Sequence, residues 1–264
     1  MGYDAYRAIR FERVGEVLRV VIDHPDNEIN AVDDTLHREL TRLFRELKQE
    51  REARAVLLTG AGKCFSAGGS FDWFPQLQDP TAMEHLRRDA KQLIWDLLDV
   101  ETPIVVAVNG PAVGLGASIA LLCDVIFMAD SASIADPHVR VGIVAGDGGA
   151  VIWPLILGPA RAKQYLLTGD PVDAATAERI GLVNRVVPAA EVDAEAMKFA
   201  QRLAAGAPLA VQYTKQAVNK LIKDALNTAF DFSTAMEIVT FKSEDHREAL
   251  AALREKRAPR FKGR

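Results

Sequence analysis

Hydrophobic and polar positions follow two alternating periods along the first half of the chain. Apolar runs rich in β-branched residues at Val17–Ile22 and Ala55–Gly60 end at turn-forming clusters, which predicts buried strands. Between them, leucines recur every three or four residues, which predicts a helix over residues 33–50. The same patterns predict a helix at 81–100, a strand at 103–110, a helix at 116–123 and a strand at 124–130. Alternation of this kind is typical of a mainly parallel sheet with helical crossovers, and it predicts an α/β fold.

From about Gly149 the pattern becomes mostly helical. The predicted elements are helices at 149–158, 160–169 and 173–182, a brief strand at 183–187, and helices at 190–206, 207–222 and 224–257. The apolar stripes at the end of the chain exceed what one isolated helix needs. We therefore divide the chain into a core at residues 1–200 and a helical C-terminal region at 201–264 that packs on the core or on another subunit.

Composition and charge exclude several classes of protein. The net charge of −4 argues against a nucleic-acid partner, because binding phosphates needs a basic surface. Cys64 and Cys123, the only cysteines, are too few for a disulfide scaffold or a thiolate zinc site, so we expect a reducing, cytoplasmic location. The apolar stretch 103–129 is interrupted by prolines, glycines and an aspartate, so we expect strands and a helix there and no membrane partner.

Two glycine-bearing loops each follow a predicted strand, "SAGGSFD" at 66–72 and "NGPAVGLGAS" at 109–118. In a parallel sheet, ligands bind at the carboxyl ends of the strands, where such loops gather. Two backbone N–H groups from these loops could hold one oxyanion. Such loops also form nucleotide cradles or plain tight turns, but neither GxGxxG nor GxxxxGK[ST] spacing occurs here, which weakens the nucleotide interpretation.

Four segments resemble the enoyl-CoA hydratase/isomerase (crotonase) superfamily: "CFSAGGSFD", "PIVVAVNGPAVGLGASIALLCDVIFMAD", "GDPVDAATAERIGLVNRVV" and "KRAPRFKGR". The resemblance runs from Phe11 to Arg264. It implies a ββα spiral core with a helical C-terminal trimerisation region, and homotrimers or homohexamers. It also implies an acyl-CoA thioester substrate and an enolate-like intermediate, with no permanently bound cofactor because coenzyme A is part of the substrate.

The resemblance also implies positions for the binding groups. The two oxyanion donors fall on the amides of Gly69 and Leu115, and a tail lysine, Lys256 or Lys262, would reach the CoA phosphates, in some members across a subunit boundary. Trp73 and Phe74 would wall the acyl pocket or fill the core. The residues expected to bind coenzyme A through the backbone are Asn30, Ala31, Ser66, Ala67, Gly68, Gly69 and Phe71.

The chain departs from the family pattern at its acid–base positions. Ser118 and His138 stand where family hydratases carry glutamates, so the sequence does not support water addition by two glutamates. Asp136, His138 and Asp147 lie in one segment, and we predict His138 as a base oriented by Asp147. This pair resembles the dyad of the 6-oxocamphor hydrolase branch, which cleaves cyclic β-diketones by a retro-Claisen route, although that branch has a histidine where Leu115 stands. Alternatively, Asp147 caps the following helix and His138 is a hydrogen-bonded loop residue.

Three interpretations of the function remain open. The first is an acyl-CoA enzyme, the second a C–C bond hydrolase with a His–Asp dyad, and the third a CoA-ester binder without catalysis. Ser118 could join a nucleophilic triad, but its place inside a predicted helix favours small-residue packing. No metal is expected: the remaining histidines lack metal-ligand spacing. We place them in a turn (His24), on polar helix faces (His37 and His85) and in a charged helix (His246).

Overall fold

The computed structural model describes residues 5–264 and contains one large, mainly parallel sheet. Its six strands follow the order β1-β2-β3-β4-β6-β9, and only the β1–β2 pair is antiparallel. Strand β4 is wholly buried, which explains its continuous apolar sequence. The strands are β1 Ile9–Val14, β2 Val17–Ile22, β3 Ala55–Gly60, β4 Ile104–Val108, β6 Val125–Ala129 and β9 Arg185–Val187.

A second, smaller sheet lies where the loop after β4 meets the later part of the core. It consists of β5 (Ala112–Val113), β7 (Ser133–Ala135) and β8 (Val172–Asp173), in the order β5-β7-β8. These strands are too short for a periodicity to predict them. The small sheet matters because β5 leads into the second glycine loop, and β7 ends just before Asp136.

Helices cover the large sheet and extend beyond it. They are α1 Asp34–Leu47, α2 Pro80–Asp99, α3 Leu115–Leu122, α4 Gly149–Leu157, α5 Pro159–Thr168, α6 Ala174–Arg179, α7 Val192–Ala204, α8 Pro208–Phe241 and α9 Glu244–Arg254. Side chains cap several of them, as Asp33 does for α1 by accepting from the Leu36 amide at 2.9 Å. Among the described residues, no helix has the length and apolar character needed to cross a membrane.

The C-terminal helices differ from the expected pattern in one respect. The predicted break near residue 223 is wrong, because α8 continues unbroken over 34 residues and ends only at Lys242. One face of α8 packs against the hydrophobic core, where Phe230 and Phe241 are both buried. Residues from this end of the chain therefore reach the centre of the molecule.

The two glycine loops emerge at the carboxyl ends of the neighbouring strands β3 and β4 and press against each other. Gly68 has φ +77°, and a Cβ there would lie 2.7 Å from the Val113 carbonyl oxygen. A Cβ at Gly116 would likewise lie 2.7 Å from the Cβ of Ser66. Gly69 lies against the ring of Phe74, which a Cβ would approach to 2.7 Å. The glycines are thus required by contacts within the protein itself.

Asn30 fastens the first glycine loop to the sheet. Its buried side chain accepts from the His24 amide at 3.0 Å and donates to the carbonyl oxygens of Ala61 and Cys64, both at 3.1 Å. Its backbone has φ +50°, a left-handed conformation that asparagine tolerates better than most residues. Asn30 therefore holds together segments on both sides of β3.

We expect Asn30→Ala to lower the free energy of unfolding by about 3 kcal/mol, because several buried hydrogen bonds are lost and alanine is strained at positive φ. Urea unfolding at a fixed protein concentration measures this change. Asn27→Ala is the matched control: it removes an acceptor for the Ala31 amide from a half-buried side chain, and should cost about 1 kcal/mol. Equal stability of Asn30→Ala and the wild type would contradict this role.

Candidate functional site

One pocket brings both glycine loops together with a cluster of three ionisable side chains. Gly69 and Leu115 line it, and so do the clustered His138, Asp147 and Glu237. The remaining lining is mostly apolar, with His37 as its one ionisable member among the described residues, and comes from α1, α2, α8, the turn at Phe74–Gln78 and adjoining loops. These wall residues are Val32, His37, Trp73, Phe74, Leu77, Leu86, Ala90, Ile143 and Phe241. Trp73 and Phe74 are both buried and line the pocket, so they combine the two roles considered from the sequence.

The amides of Gly69 and Leu115 donate to no acceptor within residues 5–264. Their neighbours differ: the Ser70 amide donates to the Val32 carbonyl at 2.8 Å, and the Gly114 amide donates to the Ala135 carbonyl at 3.0 Å. Leu115 is the first residue of α3, where backbone N–H groups lie outside the helical hydrogen-bond ladder and at the positive end of the helix dipole. Both predicted donors are therefore free to bind a ligand.

His138 lies on a short 3-10 turn and is held from both ring nitrogens. Its Nδ1 contacts the carboxylate of Asp136, a buried residue that directly follows β7. Its Nε2 lies 3.4 Å from Asp147 Oδ2 and 4.0 Å from Glu237 Oε1. Asp147 thus lies beside His138, as predicted, but at Nε2; its role as orienting carboxylate stays a prediction. The structure adds Asp136 at Nδ1, where the intervening Pro137 lets the imidazole turn back onto it.

Asp147 is itself held by Ser118. The Ser118 hydroxyl donates to Asp147 Oδ1 at 2.9 Å, and the Gly149 amide approaches the same oxygen at the longer distance of 3.4 Å. The helix-cap interpretation of Asp147 thus describes a weak second contact. The serine contacts the carboxylate and not the imidazole, so the side chains follow the order Ser–Asp–His, and a Ser–His–Asp triad is not formed.

Glu237 is the site residue that the sequence reasoning missed. It lies on α8, far along the chain from His138, and its side chain is 13% exposed. A Cβ at Gly146 would lie 2.5 Å from Glu237 Oε2, so this glycine makes room for the carboxyl group. The available signal was the lone charge within the apolar stretch "STAMEIVTF".

The pKa values of His138, Asp147 and Glu237 are all raised above those of isolated groups, but for different reasons. Burial lowers the pKa of His138, but the Asp136 and Asp147 carboxylates outweigh this and raise it to about 10. Burial is the main reason that the pKa of Glu237 rises to about 8. Burial also raises the pKa of Asp147, while His138 opposes this rise. At neutral pH, His138 is thus an imidazolium and Glu237 a neutral acid. Asp147 lies beside His138 and accepts a hydrogen bond from the Ser118 hydroxyl.

Asp136, His138 and Asp147 also have the mutual spacing of a metal site, which the sequence did not predict. One ligand atom from each lies within 4.8 Å of the others. However, the imidazole contacts Asp136 through Nδ1 and Asp147 through Nε2. A single ion cannot be bound through opposite nitrogens of one ring, so this donor set does not fit a metal held by all three residues.

A second cavity adjoins the first on the other side of His138. Ala67, Gly68 and Phe71 line it together with Gly114, and Phe71 is half exposed. The other predicted coenzyme A positions are engaged within the protein: Ala31 through its amide with Asn27, and Ser66 through its hydroxyl with the Asn30 carbonyl.

The tail lysines lie away from both cavities in the single chain. Lys256 follows α9 and Lys262 is exposed; the Lys262 amide donates to Asp245 at 2.6 Å. Lys262 borders a separate surface hollow with Arg257 and Arg260. Within one chain the structure does not bring either lysine to the site.

The remaining histidines divide into three buried residues and an exposed one. His85 is exposed on α2, as predicted, whereas His24 and His246 are buried. The prediction that His37 lies on a polar helix face is wrong. Its side chain turns inward from α1, packs on Trp73 at 5.6 Å between ring centroids, and lines the pocket.

Comparison with known proteins agrees with this architecture. Residues 12–264 match the family model described as enoyl-CoA hydratase/isomerase. Among curated proteins, the probable enoyl-CoA hydratase echA8 of Mycobacterium tuberculosis is 33% identical over 97% of this chain and 98% of its own. Carnitinyl-CoA dehydratase of Escherichia coli is 32% identical over 97% of this chain and 99% of its own.

Solved structures are equally similar over almost the whole chain. An enoyl-CoA hydratase/isomerase from Mycobacterium paratuberculosis superposes with a TM-score of 0.89 and 37% identity, covering 94% of this chain and 99% of that one. A β-diketone hydrolase from the cyanobacterium Anabaena, bound to (S)-3-oxocyclohexyl acetic acid, gives a TM-score of 0.85 and 29% identity, covering 90% and 96%. The predicted crotonase-type fold is confirmed, and the chain belongs to the enoyl-CoA hydratase/isomerase family.

Proposed function

We propose that this protein adds water to an acyl-CoA thioester through an enolate intermediate. The observation that carries the proposal is the position of Asp147 and Glu237, both within 4.0 Å of His138 Nε2 in a pocket that also contains two unused backbone amides. Two carboxyl groups in different surroundings, one kept neutral by burial and one that accepts hydrogen bonds, can serve as acid and base at one pH. In this proposal, Asp147 and Glu237 supply the two carboxyl groups that family hydratases carry as glutamates at the positions of Ser118 and His138.

Each group has one task in the proposed reaction. Ionised Asp147 takes a proton from water as the oxygen bonds to C3 of a 2-enoyl thioester, and the electrons of the double bond move to the thioester oxygen. The amides of Gly69 and Leu115 stabilise that negative charge. Protonated Glu237 then delivers a proton to C2. His138 stands between both carboxyl groups and returns the proton from Asp147 to Glu237, which restores the starting state.

A second candidate reaction is hydrolytic cleavage of a 1,3-dicarbonyl compound. It is favoured by His138, which resembles the histidine of the β-diketone-cleaving branch, and by the similarity to the Anabaena β-diketone hydrolase. Water would add to one carbonyl carbon as Asp147 takes its proton, the C–C bond would break, and its electrons would form an enolate on the other carbonyl. The same two amides and Glu237 would stabilise and protonate this enolate.

We also propose how the chain binds coenzyme A and assembles. The cavity along Ala67, Gly68 and Phe71 is suited to the pantetheine arm, because it leads from the surface to His138. A homotrimer or homohexamer is supported by the apolar side chains that α8 exposes, and such an assembly could bring Lys256 or Lys262 of one subunit to another's site. These exposed side chains are Leu209, Tyr213, Val218, Leu221, Phe232 and Val239.

Product analysis in ¹⁸O-labelled water separates the two reactions. With crotonyl-CoA we expect a labelled 3-hydroxyacyl-CoA, and with a cyclic 1,3-diketone no ring-opened acid. Asp147→Asn should slow turnover by about 100-fold or more, because the base is lost. If the diketone gives a labelled carboxylate and crotonyl-CoA is not turned over, the first candidate reaction is contradicted and the second is supported. Binding of CoA esters without turnover of either compound would leave the non-catalytic interpretation.

Leu115→Pro tests the contribution of a backbone donor. Proline is tolerated at the first position of a helix but lacks the N–H group, so we expect kcat to fall by about 100-fold or more. Leu115→Ala is the matched control, since it shortens the same side chain and keeps the amide. Circular dichroism checks that both variants fold. Equal kcat for the two variants would contradict a donor role for this amide.

Glu237→Gln tests whether Glu237 holds a proton at neutral pH. Its pKa in the folded protein, about 8, lies above its ordinary value of 4.5, so stability from the protonated form is lost as pH rises from 4.5 to about 8. The stability of Glu237→Gln relative to the wild type should thus increase by on the order of 1 kcal/mol per pH unit up to about pH 8, and then level off. Urea unfolding between pH 5 and 9 measures this difference. Exposed Glu191→Gln should show no such trend, and a flat difference for Glu237→Gln would contradict the assignment.

A further inference from the structure

One wall of the pocket that contains Gly69, Leu115 and His138, which we call the acyl pocket, separates it from a further, polar cavity. Four residues line both spaces: His37, Trp73, Leu77 and Leu86. The outer cavity has a volume of about 260 Å³ and lies between the first turns of α1 and α2. We call it the outer vestibule; besides the shared wall, its lining residues are Asp34, Arg38, Gln76, Asp79, Thr81, Ala82, His85 and Asp89.

His37 is the polar group in this wall, and its side chain has no partner. The residue is only 3% exposed, and within residues 5–264 neither ring nitrogen makes a hydrogen bond, although its backbone amide and carbonyl are both bonded. The unpartnered polar atoms that are sealed from solvent lie on other side chains, among them Asp136 and His246. His37 lines both cavities, and its ring nitrogens are not among the sealed atoms.

A polar group in the wall of a mostly apolar pocket usually fixes the orientation of a ligand through a hydrogen bond. We propose that His37 determines substrate specificity by hydrogen-bonding a neutral oxygen, a hydroxyl or keto group, on the acyl chain far from the reacting carbonyl. The inference rests on the proposed function only in taking the pocket to hold an acyl group. The preferred substrates are thus oxygenated acyl thioesters and not plain alkyl chains.

The surroundings of His37 favour a neutral group over a charged one. Burial lowers the pKa of His37 to about 4, so the ring is neutral at pH 7 and offers one N–H donor and one acceptor. A carboxylate would face Asp79 and Asp89, while Arg38 is already paired with Asp34 at 3.1 Å. An ammonium group would lose its hydration between Trp73 and the wall leucines.

Isothermal titration calorimetry with saturated CoA esters tests this proposal without any turnover. The probes are two pairs, hexanoyl-CoA with 6-hydroxyhexanoyl-CoA and octanoyl-CoA with 8-hydroxyoctanoyl-CoA. In at least one pair the wild type should bind the hydroxy ester about 5- to 10-fold more tightly, the usual value of one neutral hydrogen bond. 6-Aminohexanoyl-CoA is the charged probe and should bind less tightly than the hydroxy ester.

Three variants separate hydrogen bonding from packing. In His37→Leu the preference for the hydroxy ester should fall to about one, and His37→Gln, which keeps a donor and an acceptor, should restore part of it. His85→Leu removes a histidine that lines only the outer vestibule and should keep the preference.

The proposal is overturned if no pair shows a preference, if His37→Leu retains it, if the amino ester binds best, or if no ester binds at all. Turnover of crotonyl-CoA without a hydroxyl preference would overturn this subsite and leave the proposed reaction standing. A hydroxyl preference that depends on His37, without any turnover, would overturn the reaction and support the subsite.

Discussion

The close packing of two backbone loops at the ends of β3 and β4 is the constraint on which the rest of the site depends. Where they meet, at Gly68 against Val113 and at Gly116 against Ser66, side chains are excluded. The sheet fixes the strand ends, and Asn30 fastens the first loop to its surroundings. Backbone hydrogen bonds then use the amides of Ser70 and Gly114 and leave those of Gly69 and Leu115 free. Donors held in place before the reaction need little reorganisation when charge develops.

Around these donors lies a buried cluster of one histidine and three carboxyl groups, and its burial limits how many of these groups can be charged at once. Three negative charges beside one positive charge would be costly in a buried pocket, so a carboxyl group retains its proton. Burial raises the pKa of both Glu237 and Asp147, but within the described part of the chain only Asp147 has hydrogen bonds, from Ser118 and Gly149, that oppose this rise. These different surroundings are the reason that we propose different tasks for the two carboxyl groups.

Local patterns predicted much of the fold and part of the site. β2 and β3 have the predicted bounds, and the two glycine loops lie at neighbouring strand ends as expected from parallel-sheet topology. The errors concern contacts between distant parts of the chain. Nothing near His138 in the sequence indicates that Glu237 approaches it from α8, and the polar neighbours of His37 conceal that this residue turns inward. Asp136 was visible, but only the backbone turn at Pro137 decides which carboxylate takes Nδ1.

The most direct test of the account is a crystal structure of the protein with acetoacetyl-CoA, a thioester that forms an enolate. The account predicts the thioester oxygen at 2.7–3.1 Å from both the Gly69 and the Leu115 amide nitrogens, the range expected for an oxyanion site. A thioester oxygen that contacts only one of these amides, or that rests against the Ser118 hydroxyl, would contradict it.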